Sequence, residues 1–122
     1  MQILVIDDDE TFCRLLVEIL EEIGVQAAWT TNGLTGYEMM TRDDYELCII
    51  DVRMPLVLGT DLAEAIREDR PRVKIILASA FADETLQDYA KRKGILLLSK
   101  PFTPRRLLDM VELALGESIG RN

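Results

Sequence analysis

A chain of 122 residues is the size of one ordinary domain, and 48% hydrophobic content is enough for one substantial core. Lys and Arg number 14 against 22 Asp and Glu, a net charge of −8. This balance argues against direct nucleic-acid binding and suits cation binding. There is no histidine, which excludes a phosphohistidine carrier, a Ser-His-Asp hydrolase and a His-based zinc site.

No apolar run approaches the roughly 20 residues of a membrane span. Met1-Gln2-Ile3 enters a strand without a basic leader. The expectation is a cytoplasmic protein with no membrane contact. Of the two cysteines, Cys48 falls in a buried strand and Cys13 on the first helix. No disulfide is expected between them in a reducing compartment.

In chain order, residues 2–7 read as the first strand. Phe12, Leu15, Leu16, Ile19, Leu20 and Ile23 then recur at the spacing of one helix face. Asp9 suits its N-cap and Gly24 its C-terminal stop. Val25 to Thr30 is a less apolar strand, predicted at a sheet edge. Thr31-Asn32-Gly33 is a turn, and Leu34 to Met40 a short helix weakened by Gly36. Leu47-Cys48-Ile49-Ile50 is a strand buried on both faces that ends on Asp51. Pro55 cannot extend a central strand. Leu56-Val57-Leu58 is expected to pack under the following loop. A third helix spans 60–69, with Leu62 and Ile66 inward, and Arg70-Pro71-Arg72 breaks it.

The fourth strand, 73–78, runs into Ser79. Asp83 caps a helix over 84–93, and Gly94 stops it. The fifth strand, 95–99, runs into Lys100-Pro101. Thr103 and Pro104 supply N-cap and N1 for a helix ending near Leu115. Residues 1–116 make one domain, and 117–122 are expected as a flexible tail. Five strand–helix repeats with short connections predict a parallel sheet covered by helices on both faces.

Ligands in such sheets bind at the carboxyl ends of the strands. Asp7, Asp8, Asp51, Ser79 and Lys100 all fall on that edge. Clustered carboxylates repel one another and raise a pKa. A divalent cation and Lys100 would hold them ionised. All-oxygen ligation favours magnesium, with manganese as the alternative. A magnesium site with a hydroxyl and an ammonium beside it suits an anionic phosphoryl group. A carboxylate is a competent nucleophile toward phosphorus, and phosphoryl transfer needs mainly positioning and charge neutralisation.

Four pieces then carry a family resemblance: Ile6-Asp7-Asp8-Asp9, Ile50-Asp51-Val52-Arg53-Met54-Pro55 with Gly59, Ile76-Leu77-Ala78-Ser79-Ala80, and Lys100-Pro101-Phe102. Over essentially its full length the chain resembles a response-regulator receiver domain of two-component signalling. The resemblance implies a flavodoxin-like (βα)5 doubly wound parallel sheet of order 2-1-3-4-5. It implies Asp51 as phosphoacceptor, and Asp7, Asp8, Asp51 and the Arg53 carbonyl as magnesium ligands. Ser79 would be the hydroxyl that moves to the phosphoryl group, and Lys100 the phosphate-binding lysine with a cis bond to Pro101. A histidine kinase or histidine phosphotransfer protein would donate the phosphoryl group. A downstream protein or fused output domain would read the fourth helix, fifth strand and fifth helix. A dimer formed on phosphorylation is a further implication. Such a domain is a signalling switch and not an enzyme with turnover substrates.

The chain departs from the family pattern at Leu97, where an aromatic or histidine is usual, and at Leu56-Val57-Leu58. Two alternatives remain. Asp7-Asp8-Asp9-Glu10-Thr11 fits the motif of haloacid-dehalogenase-type magnesium phosphatases, with Asp7 as nucleophile and Asp9 as acid/base. A receiver-like module that binds partners without phosphorylation is the other. Flavin binding is disfavoured, because the three aspartates after the first strand would repel a phosphate.

Overall fold

The computed structural model describes residues 2–119. Its elements are β1 (Gln2–Ile6), α1 (Glu10–Glu22), β2 (Gln26–Thr30), α2 (Gly33–Arg42), β3 (Leu47–Asp51), β4 (Arg53–Met54), β5 (Val57–Leu58), α3 (Gly59–Asp69), β6 (Lys74–Ser79), α4 (Glu84–Lys93), β7 (Leu96–Ser99) and α5 (Pro104–Leu115). Five strands form one parallel sheet in the order β2-β1-β3-β6-β7. Counting only the strands of that sheet, this is the expected 2-1-3-4-5. β4 and β5 form a separate antiparallel pair. Among the described residues, no helix is long and apolar enough to cross a membrane.

The sheet divides the interior into two cores. Alternate residues of a strand face opposite ways, so Ile3, Val5, Leu47 and Ile49 meet α1 and α5 on one side. Leu4, Ile6, Cys48 and Ile50 meet α2 and α3 on the other. This is why β3 carries no polar residue before Asp51: both of its faces are covered. α4 sits more lightly, and only Ala90 of that helix is buried.

Local signals set the helix ends. Asp9, Asn32, Asp83 and Thr103 each accept a backbone N–H at the N-cap. Gly94 and Gly116 close α4 and α5 in the left-handed conformation.

Several expectations need correction. The buried stripe of α1 is Cys13, Leu16 and Leu20, whereas Leu15 is 52% exposed. α2 begins at Gly33 and extends to Arg42, so it is neither short nor spoiled by Gly36. A Cβ at Gly36 would run into the Ile6 side chain; glycine is what lets this helix lie close to the sheet. Leu56-Val57-Leu58 does not pack under the loop as a unit. Val57 turns inward toward Gly33 and Leu62, but Leu56 is fully exposed and Leu58 half exposed. Of the expected tail, residues 120–122 lie outside the described residues. Ile119 is 5% exposed, and its N–H donates to Glu112 Oε2 at 3.1 Å.

Candidate functional site

Strand register assembles the site. Ile6 pairs with Ile50, so Asp7 and Asp51 leave neighbouring strands side by side. Asp51 pairs with Ala78, which puts Ser79 one residue further along the adjacent strand. Ser79 pairs with Ser99, and Lys100 follows directly. The Lys100 N–H donates to the Ser79 carbonyl at 2.8 Å, and the Val52 N–H to the Ala78 carbonyl at 3.0 Å. These two bonds stitch the sheet together just where the candidate side chains emerge. The Lys100–Pro101 peptide is cis, as the family resemblance implied.

Asp7 is 2% exposed and Asp51 8%, while Asp8 is exposed. Carboxylate oxygens of the three lie within 4.8 Å of one another. Lys100 Nζ donates to Asp7 Oδ2 at 2.7 Å and to Asp51 Oδ1 at 3.3 Å. The other oxygen of Asp7 accepts the Asp9 N–H at 3.0 Å. Asp7 is therefore fixed on both oxygens, and Asp51 is the more loosely held acid.

Burial first, and then the charge of Asp7, push the Asp51 carboxyl up to about 6, with Lys100 pulling the other way. Burial works against the Lys100 ammonium, but its hydrogen bond to Asp7 and the charges of Asp7 and Asp51 outweigh it and raise its pKa. An acid strained toward protonation beside two others is short of positive charge. The donor set is all oxygen, which fits a hard divalent cation.

Ser79 is 3% exposed, and its Oγ accepts the Phe81 N–H at 2.9 Å. The hydroxyl is thus folded into its own turn. Arg53 opens β4, exposed, with its guanidinium 5.8 Å from the centre of the Phe81 ring.

Three features escaped the sequence reading. Gly59, read there only as part of the family motif, packs against the end of β3: its N–H donates to the Val52 carbonyl at 2.8 Å. A Cβ there would stand 2.8 Å from Val52 Cα and closer still to the Asp51 carbonyl oxygen. Leu56 has φ of 72°, a left-handed conformation rare for leucine. Phe12, taken as a core residue of α1, has its ring centre 4.2 Å from Lys100 Nζ and packs edge-on against Phe102 at 5.5 Å. The one available hint was an aromatic residue in the first turn after three aspartates.

Cys13 and Cys48 are both free and buried. Burial and the Asp7 charge push the Cys13 thiol up to about 12, and burial alone raises Cys48.

A parallel five-stranded sheet with acids, a hydroxyl and a lysine on its carboxyl edge defines a class, and the match to known proteins agrees. The chain belongs to the response-regulator receiver domain family, whose model matches residues 3–112. It is a phospho-accepting, aspartate-based signalling switch and not an enzyme that turns over a substrate. It is 33% identical over 112 residues to the response regulator receiver protein CpdR of Brucella abortus, covering 91% of this chain and 93% of that one. A CheY-like receiver domain from Methanospirillum hungatei superposes with a TM-score of 0.89 at 26% identity, covering 94% of this chain and 93% of the other. The Thermotoga maritima response regulator TrrA, solved in complex with Mg2+-BeF, superposes at 0.83 with 29% identity, covering 93% and 98%. Other curated relatives are longer, and this chain spans 24% to 52% of their length. The haloacid-dehalogenase alternative gives way to this membership; it would also need as nucleophile the acid that is 2% exposed and held on both oxygens.

Proposed function

We propose that Asp51 accepts the phosphoryl group. The observation that carries this is the contrast between the two buried acids: among the described residues Asp7 is bound on both oxygens, whereas Asp51 accepts a 3.3 Å bond from Lys100 on one. Asp7, Asp8, Asp51 and the Arg53 backbone carbonyl would hold magnesium, which, when bound, supplies charge neutralisation for the donor's phosphoryl oxygens. The three convergent carboxylates support that assignment.

A carboxylate oxygen of Asp51 attacks phosphorus. The new P–O bond forms as the bond from phosphorus to the donor breaks, and its electron pair leaves with the donor's imidazole nitrogen or acetate oxygen. Lys100 stays on a phosphoryl oxygen, and the Ser79 hydroxyl leaves its turn to donate to another. Water later attacks phosphorus and frees the Asp51 carboxylate and inorganic phosphate.

The donor in this reading is a histidine kinase or histidine phosphotransfer protein in a phosphorelay of the cytoplasm. The reader is a downstream protein or a fused output domain that meets α4, β7 and α5. The lightly packed α4 supports this, because a helix that buries one residue is easier to move than α1, α2, α3 or α5, which each bury three or more. A phosphorylation-dependent dimer through the same elements belongs to the proposal.

Intact mass after incubation with acetyl phosphate and magnesium tests it. Wild type gains one phosphoryl mass and Asp51→Asn gains none. Loss of the adduct in Asp7→Asn but not in Asp51→Asn would move the acceptor to Asp7.

A further inference from the structure

We propose that Phe12 is a positioning residue for phosphoryl transfer, acting through Lys100. The inference rests on the reading above, in which Lys100 holds a phosphoryl oxygen.

Lys100 has three N–H donors on a flexible four-carbon stem. Two are spent on Asp7 and Asp51. The ammonium needs its remaining donor for the incoming phosphoryl group, yet it must also be held still. An oxygen acceptor would compete for that donor. An aromatic face does not: its quadrupole attracts the whole cation without offering a lone pair. The Phe12 ring centre lies 4.2 Å from Nζ, inside the range of this attraction. The Lys100 side chain is 19% exposed, so the contact is partly desolvated and poorly screened.

The ring is itself held. Phe102 meets it at 5.5 Å with an interplanar angle of 78°, an edge-to-face pair. Phe12 comes from the first turns of α1, and Phe102 follows the cis Lys100–Pro101 bond. The pair therefore joins the helix after Asp7-Asp8-Asp9 to the loop that carries Lys100. It fixes the ammonium relative to the acids from two separate segments.

Three replacements separate the ring's charge distribution from its bulk. Phe12→Leu keeps an apolar side chain without a ring face. Phe12→Tyr keeps the ring. Pentafluorophenylalanine at position 12 keeps the shape and reverses the quadrupole. The readout is the rate of adduct formation on Asp51 from acetyl phosphate with magnesium, alongside magnesium affinity by calorimetry. The expected result is a loss of roughly fivefold or more in rate for the Leu and pentafluoro variants, the scale of a partly desolvated cation–π contact. Phe12→Tyr retains most of the rate. Magnesium affinity stays within about twofold throughout, because the ring acts on Lys100 and Phe12 offers no side-chain oxygen to a hard cation.

A pentafluoro variant as fast as wild type would reduce Phe12 to packing and overturn the proposal. So would a Phe12→Leu variant at full rate, or a magnesium affinity that falls in step with the rate. Absence of any Asp51 adduct in wild type would instead sink the acceptor assignment, and the role of Phe12 with it.

Discussion

Asp51 costs the metal-free protein stability. Its folded pKa of about 6 lies above the ordinary 3.8. Between those values the folded state binds more protons than the unfolded chain, so stability falls as pH rises through the window from about 4 to 6. Above about 6 the full cost is present; below about 4 it is gone. The shift corresponds to about 1–3 kcal/mol. Asp51→Asn, in chelator at pH 7.5, should raise stability by that order, with the gain shrinking toward pH 4. Urea titrations at both pH values measure it; a destabilised Asn variant at pH 7.5 would mean that the Lys100 contact outweighs burial and the Asp7 repulsion. Leu56 is a second cost, at the surface. It holds φ of 72° with its side chain fully in solvent, so no packing offsets the left-handed penalty of about 1–2 kcal/mol. Glycine removes that penalty and loses about 0.5–1 kcal/mol of backbone entropy. Leu56→Gly is expected to gain about 0.5–1 kcal/mol in the same titration.

At the scale of elements, the junction of β3 and α3 is the tightest. The Gly59 N–H bonds the Val52 carbonyl, and any Cβ would strike the backbone of Asp51 and Val52. Backbone at this point cannot yield without moving the acid. Gly59→Ala should therefore destabilise the fold by about 2–3 kcal/mol and slow Asp51 phosphorylation at least tenfold; a folded Gly59→Ala variant that phosphorylates at the wild-type rate would refute the linkage. This junction also marks the limit of what the sequence alone discloses. Strands β1, β3 and β6 are legible because burial on two faces demands unbroken apolar runs, and the edge strand β7 because Ile95 to Leu98 is an apolar run of its own; the residue that ends each run stands at the candidate edge. The caps of α1, α4 and α5 are legible because Asp9, Asp83 and Thr103 bond their own next turn. Contacts between elements are not. Gly36 reads as a helix weakness until Ile6 is seen beneath it, and Phe12 reads as core until the register brings Lys100 over its ring. The β4–β5 pair is two residues on each side, too short for an alternation to register.

Across the whole molecule, the proposed output requires a change at Asp51 to reach α4, β7 and α5. Leu97 occupies the strand position where the family resemblance leads one to expect an aromatic or histidine, and it is only partly buried against the core shared with α2 and α3. Its rotamers differ little in polarity or hydrogen bonding, so it offers little differential free energy for a bound state to exploit. The turn from Ser79 to Asp83 is expected to carry more, since Ser79 accepts the Phe81 N–H and Asp83 caps α4. With beryllofluoride and magnesium as the phosphoryl mimic, amide shifts at residues 79–100 should survive Leu97→Ala. Their loss, with the fold and mimic binding intact, would make Leu97 the switch.

Lys100 is shared between Asp7 and Asp51, and that sharing has an arithmetic consequence. Three carboxylates against one ammonium leave the edge two formal charges short of neutrality. The deficit discriminates by valence before any ligand geometry applies. A monovalent ion corrects half of it, a trivalent ion overshoots, and a divalent ion closes it. In the proposed transfer, exchanging the singly charged Asp51 carboxylate for a doubly charged acyl phosphate would reopen the deficit by one unit. The phosphorylated edge therefore differs from the resting one in formal charge as well as shape. That extra unit would have to be met by the protein's own dipoles or by whatever binds over it.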